Sequence, residues 1–204
     1  MLIAAFDLHT SFLQKNKKKV CFHEVYLLYL KQRFRISLNT TINEGERHMV
    51  QTTNSEHTQS TALSNSLNGL LADWSVLGVK LHYFHWYVKG PHFFTLHSKF
   101  EELYTAAAAY VDEIAERLLI IGERPAATMG EYLKLASIEE AAGQDTAEEM
   151  VESLLSDLQA IAGRLQEGIE TAGDQGDDPT ADMLTGMKTE TDKQAWMLRA
   201  FLGK

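Results

Sequence analysis

Cysteine and proline are nearly missing from this chain: 204 residues contain one of the first and three of the second. The lone Cys21 excludes a disulfide framework within the chain and fits a reducing compartment, so the expected location is the cytoplasm. So few prolines leave long stretches free to be helical. Regular alternation of apolar and polar residues is lacking too, as is any internal repeat, which argues against a sandwich, a barrel or a solenoid. No apolar run approaches the roughly 18 residues of a membrane span, so no membrane partner is expected. Finally, no histidine has a glutamate three residues before it. That removes the Glu-x-x-His pair from which a di-iron centre inside one helical bundle is built.

Acidic and basic charge are unevenly shared. The net charge is −9, but residues 1–48 carry +4 and residues 49–204 carry −13. So acidic a body attracts metal cations and repels the phosphate backbone of nucleic acid. The opening MLIAAFDLHTSFLQ does not read as a secretion signal, because its basic cluster Lys15, Lys17, Lys18 and Lys19 follows the apolar part. Glu44-Gly45-Glu46-Arg47 lies just before Met49, and its codons can spell a purine-rich ribosome-binding sequence. The expectation is that translation starts at Met49 and that residues 1–48 are a non-native or disordered extension. An N-terminal peptide from residues 1–48 in mass spectrometry of the native protein would overturn it. Residues 49–59 then form a polar tail, and residues 60–204 one domain of a size that supports a substantial core.

Within that domain the apolar residues recur at helical spacing. Leu63, Leu67, Leu70, Leu71, Trp74, Leu77, Leu81 and Phe84 predict a first helix from about Thr61 to Val88, capped by Ser60 or Thr61. Gly90-Pro91 ends it. FFTLH opens a second helix that runs to about Ile121 and is closed by Gly122 and Pro125. A crossover over 126–144 holds a short amphipathic piece, Met129–Ala136. Asp145 or Thr146 opens a third long helix, where Thr146 and Glu149 have capping-box spacing, with a stripe of Met150, Leu154, Leu155, Leu158, Ile161 and Leu165. GDQGDDPT breaks the chain before a fourth, with Pro179 near its first turn and a stripe of Met183, Leu184, Met187, Trp196, Met197 and Phe201. Four long helices with one long crossover between the second and third give an all-α, ferritin-like four-helix bundle.

The second helix carries His97, Glu101, Asp112 and Glu116. Taking His97 as origin at 100° per residue, the other three lie about 40°, 60° and 100° round the axis. Glu101 and Asp112 are about 16 Å apart along that axis, and His97 and Glu116 about 28 Å. One ion cannot bridge those distances in one chain. Both pairs, however, are centred on the Ala106–Ala107 bond, inside the run Ala106-Ala107-Ala108-Ala109. If two copies cross antiparallel there, His97 meets Glu116 of the second copy and Glu101 meets its Asp112. A two-fold contact creates two equal clusters. His85, twelve residues before His97 and across the Gly-Pro turn, can fold back to add an imidazole. Nitrogen and carboxylate together suit iron(II), manganese or zinc better than calcium or magnesium.

KLHYFHWYVKGPHFFTLHSKFEELY, VDEIAERLLIIG and the ending DKQAWMLRAFLGK closely resemble the Dps family, the DNA-protecting proteins of starved cells or mini-ferritins, in its Gram-positive form. The resemblance covers about residues 60–204. It implies a homo-dodecameric hollow shell built from two-fold dimers, which oxidises Fe(II) to Fe(III), preferentially with hydrogen peroxide, and stores the ferric mineral. It also implies a site shared between two-fold related subunits, with His85, His97 and Glu101 from one and Asp112 and Glu116 from the other. Many family members have aspartate where this chain has Glu101. Trp86 would sit beside the site, as core packing or as an interceptor of oxidising equivalents. Asp178 and Asp182 match positions that line iron-entry pores at the three-fold axes, while Gly173 replaces an aspartate found in some members, with Asp174 adjacent. His57, His82 and His92 show no ligand pattern and are expected to be structural or exposed.

The competing expectation is a nucleoid-associated protein that compacts DNA with little ferroxidase activity. The tail after Met49 has no lysine or arginine, and the C-terminus adds only Arg199 and Lys204, so direct DNA binding is not favoured. A structural bundle that uses its acids only for solubility is the third option.

Overall fold

The computed structural model describes residues 44–143 and 146–204, with side chains from Thr61 onward. Two units are distinguished, Met1–Arg47 and His48–Lys204, and the second holds the hydrophobic core and the candidate sites. The expectation for residues 1–43 lies outside the described residues.

Five helices and no strand are seen among the described residues: α1 (Glu44–Tyr87), α2 (Phe93–Ile120), α3 (Met129–Leu135), α4 (Ala147–Asp174) and α5 (Asp178–Phe201). The start of α1 differs from expectation. Its backbone is already helical at Glu44, not at Thr61, and runs through the stretch read as a polar tail. Between Gly45 and Gly69 there is neither glycine nor proline, and a polar run without a breaker can extend a helix that packing secures further along.

Every residue of the first apolar stripe is buried, from Leu63 to Phe84, as is every residue of the α4 stripe, Met150 to Leu165. Leu96, Phe100, Leu103, Ala107, Ile114 and Leu118 of α2 join them in one core. Burial of each such leucine is worth roughly 1.5–3 kcal/mol. The α5 stripe follows expectation only in part. Leu184 and Met187 are buried, but the stripe continues through Thr191, Ala195 and Leu198. Trp196 and Met197 remain 63% and 41% exposed. The true spacing of three and four residues keeps 184, 187, 191, 195 and 198 on one face and turns 196 and 197 away from it.

Helix ends follow local chemistry. Thr128 and Glu131 form a capping box at α3, and Thr146 and Glu149 form another at α4. At the end of α2, Gly122 takes φ +83°, Gly122 N–H donates to Leu119 O at 3.1 Å and Glu123 N–H to Leu118 O at 2.8 Å. That is a Schellman closure, and it requires a residue at ease with positive φ.

The crossover is held by polar groups of α1. Asp73, fully buried, accepts from Ser137 N–H at 2.6 Å and from the Arg164 guanidinium at 2.7 Å. One carboxylate thereby ties α1, the crossover and α4. Asn68 ties α1 to the crossover's start, accepting from Ala126 N–H at 2.7 Å and donating to Arg124 O at 3.2 Å. A second charged pair lies inside the bundle: Lys80 Nζ is 2.7 Å from Asp157 Oδ2 with both side chains almost fully buried.

Candidate metal centre

The turn between α1 and α2 is set by Gly90, at φ +99°, whose carbonyl accepts from Phe93 N–H at 3.1 Å. It folds the last turn of α1 against the first turns of α2. His85 and His97 are brought together there, ring centroids 3.6 Å apart and planes 20° from parallel. Their hydrogen bonds are reciprocal. His85 Nδ1 lies 2.8 Å from the backbone oxygen of His97, and His97 Nδ1 lies 2.8 Å from the backbone oxygen of His85.

A carbonyl oxygen only accepts, so each Nδ1 must carry the proton. The tautomer this selects is the one with its lone pair on Nε2. This outer hydrogen bond is the one that orients metal-binding histidines and fixes their tautomer. The rings are packed as well as bonded: Phe93 stacks on His97 at 4.9 Å, and Tyr104 meets His85 edge-on at 5.5 Å.

Glu101, Asp112 and Glu116 are all exposed on α2. Burial of the Tyr104 hydroxyl, then the charge of Glu101 and a hydrogen bond to it, raises the Tyr104 pKa. Glu101 is thus near enough to act on the hydroxyl of the ring that flanks His85. Among the described residues, no group of three or more His, Cys, Asp or Glu gathers within one chain. Asp112 and Glu116 lie further along the outward face that Glu101 starts.

The alanine run is resolved into two roles. Ala107 is fully buried in its own bundle, whereas Ala108 and Ala109 are exposed. Glu101, Thr105, Ala108, Asp112 and Glu116 form one exposed ridge at intervals of three and four residues. Ala108, not the whole tract, is the small residue on the face that carries Glu101, Asp112 and Glu116.

A ferritin-like domain profile matches residues 64–204. DNA protection during starvation protein 2 of Bacillus anthracis is 58% identical over 138 residues, covering 68% of this chain and 94% of that protein. The chain belongs to the Dps family of ferritin-like proteins. The crystal structure of Dps from Staphylococcus aureus superposes with a TM-score of 0.68 at 49% identity, covering 69% of this chain and 94% of that one. The Dps protein of Vibrio cholerae, described as a member of a broad superfamily of ferritin-like diiron-carboxylate proteins, gives 0.69 at 36% identity, covering 71% and 91%. The expected ferritin-like bundle of this Dps-family chain is therefore its fold.

Asp178 and Asp182 are exposed on the first turns of α5. What sequence reasoning missed is the clamp beside them. Asp177 caps α5 by accepting from Thr180 N–H at 3.2 Å, and the Arg117 guanidinium of α2 donates to it at 2.6 Å. Burial opposes the charge of Asp177, but the bonds from Thr180 and Arg117 outweigh it and hold its pKa below the ordinary value. An aspartate two residues before Pro179 was the available signal for the cap. Nothing local signalled Arg117, sixty residues earlier. Among the other histidines, His82 Nδ1 bonds Gly78 O at 2.7 Å and stacks on Tyr104 at 4.0 Å. His92 is exposed, with Phe201 5.2 Å away.

Proposed function

We propose that this Dps-family protein binds and stores iron, oxidising iron(II) at sites formed where two subunits meet about a two-fold axis. The observation that carries the reading is the reciprocal His85–His97 arrangement, which pre-orients both Nε2 atoms, with Glu101 one turn further along α2. Asp112 and Glu116 of a second copy would complete each site. Imidazole donors suit iron(II), and the anionic carboxylates favour the harder iron(III) and so ease the loss of an electron.

Hydrogen peroxide is the proposed oxidant. Two iron(II) ions give up one electron each, the O–O bond breaks, and two protons are taken up to form two waters. No hydroxyl radical is released on that route. The product would be kept inside a hollow dodecamer in the cytoplasm, reached through an acidic entry that includes Asp178 and Asp182. Assembly is supported by the apolar residues one chain leaves exposed: Phe94 at 84%, Ile120 at 72% and Trp86 at 68%.

Stopped-flow iron oxidation with peroxide tests the reading. The His85→Ala/His97→Ala chain is expected to lose the fast phase, and an unchanged rate would refute the assignment. A second reading, direct DNA compaction, is raised by the name of the Bacillus anthracis relative. The lack of Lys and Arg in residues 49–59 and the acidic body oppose it. Retardation of DNA at low salt by a chain beginning at Met49 would reverse that preference.

A further inference from the structure

Away from the histidine pair, all four long helices contribute to a cavity of about 150 Å³ inside the bundle. Ferritin-like bundles with an intrachain di-iron centre project their Glu and His ligands into this interior. Here the walls are Leu77 and Leu81 of α1, Leu103 of α2, and Leu154 and Leu158 of α4. Glu102 and Glu190 also line it, but both are exposed and each has a lysine partner, Lys99 at 2.8 Å and Lys193 at 3.3 Å. They form the rim.

Two buried polar atoms of the lining residues have no protein partner. Trp74 is 4% exposed, and its Nε1–H is buried with no protein acceptor. Gln194 Oε1 is buried with no protein donor. Both residues line the cavity. A buried polar group without a partner costs about 1–3 kcal/mol, so an occupant that serves both atoms is favoured. The Trp74 ring is held against Tyr110, centroids 4.8 Å apart. Thr191 has its hydroxyl committed to Met187 O at 2.7 Å.

We propose that this cavity is a binding site for one small amphipathic molecule per subunit: an aromatic or short aliphatic body bearing a hydroxyl, of the size of phenol. A cavity of this volume walled only by apolar side chains stays dry and admits benzene. The apolar walls therefore suit the body of such a ligand. A single hydroxyl can accept from Trp74 Nε1–H and donate to Gln194 Oε1. A cation fits worse, because the Trp74 N–H would face it with positive charge.

The proposal is independent of the iron reading, and its test contains no iron. Calorimetric titration of the assembled protein with phenol and with benzene reads both affinities. Phenol is expected to bind once per subunit and about tenfold more tightly than benzene, the worth of one or two buried hydrogen bonds. Trp74→Phe keeps a ring in the wall but removes the donor, so the preference for phenol should shrink to about threefold or less. Leu158→Phe fills the cavity and should abolish binding of both. Circular dichroism and particle size confirm that each variant is folded and assembled; Gln194→Leu replaces Trp74→Phe if it is not, with the same loss of preference expected, and Leu154→Phe replaces Leu158→Phe, with the same loss of binding. His85→Ala/His97→Ala should bind phenol as wild type does, which separates this site from the metal centre. Three results would overturn the proposal: no phenol binding, equal affinity for phenol and benzene, or displacement of phenol by manganese(II).

Discussion

His85 and His97 hold each other's side chains through main-chain oxygens: each Nδ1 donates, at 2.8 Å, to the carbonyl of the other residue. The pair is a unit. Each residue supplies both a ring and the acceptor that orients its neighbour's ring, and the rings themselves are stacked.

Replacing either histidine by alanine keeps the main-chain acceptor but removes the stacked ring. Each single variant is therefore expected to lose about 10–100-fold in anaerobic iron(II) affinity by calorimetry, the usual cost of disturbing a ligand's orientation together with its number. The double variant should lose less than the two single losses combined, because either one already damages the unit. Strict additivity would show that the rings act separately.

Glu101→Asp should retain peroxide-driven oxidation within roughly threefold, since the charge stays, whereas Glu101→Ala should be at least about tenfold slower. The same alanine variant removes the charge and the hydrogen bond that help burial to hold the Tyr104 hydroxyl up. Ultraviolet titration should then show Tyr104 ionising at lower pH than in wild type. No movement of Tyr104 would mean that Glu101 does not reach it.

The Asp177 clamp has a defined pH signature. Its folded-state pKa is depressed, so its contribution to stability is present above the ordinary carboxylate value and is lost as pH falls through the lower, folded value. Arg117→Met removes one stabiliser of the charged form and should move that acid-side loss to higher pH. Helicity followed during acid titration measures it, and an identical profile for the variant would sink the argument.

Lys80 and Asp157 form a buried pair in which burial wins: it raises the Asp157 pKa although Lys80 pulls the other way. Lys80→Met alone should cost about 3–5 kcal/mol in chemical denaturation, because a buried carboxylate is left without its counter-charge. Lys80→Met/Asp157→Leu should recover most of that loss. A double variant as unstable as the single one would show that the pair contributes more than mutual compensation.

Two glycines in helices should respond oppositely to alanine. At Gly163 an added Cβ meets open space on an exposed face, so the substitution should stabilise by roughly 0.5–1 kcal/mol. At Gly69 it would land on the Arg164 guanidinium, which is fixed by Asp73, so Gly69→Ala should destabilise. Thermal unfolding of both variants checks the signs.

The bundle was legible because burial leaves a period. Leu63 to Phe84 and Met150 to Leu165 repeat every three or four residues, and Thr146 with Glu149 marks a helix start by chemistry alone. Trp196 and Met197 were misread for a physical reason: an apolar side chain suits a core or an exposed contact face equally, and periodicity does not separate them. The early start of α1 went unread because residues 49–59 carry no apolar stripe, while Ser60 and Thr61 offer a cap just where the stripe begins. At the candidate metal centre, the spacing of His97, Glu101, Asp112 and Glu116 pointed to a second copy. Bonds from an imidazole to a main-chain oxygen twelve residues away leave no such trace. The Asp73–Arg164 link was invisible for the same reason, since it joins two polar residues far apart in the chain.

That link has a kinetic consequence. Asp73 meets Ser137 and Arg164 across 64 and 91 residues of chain, so closing it comes at a high entropic cost and is expected only after the local helical hairpins have formed. Contacts made after the folding barrier slow escape from the native state without hastening arrival. Asp73→Asn should therefore leave the refolding rate nearly unchanged and accelerate unfolding, which makes this buried carboxylate a determinant of how long a folded subunit persists.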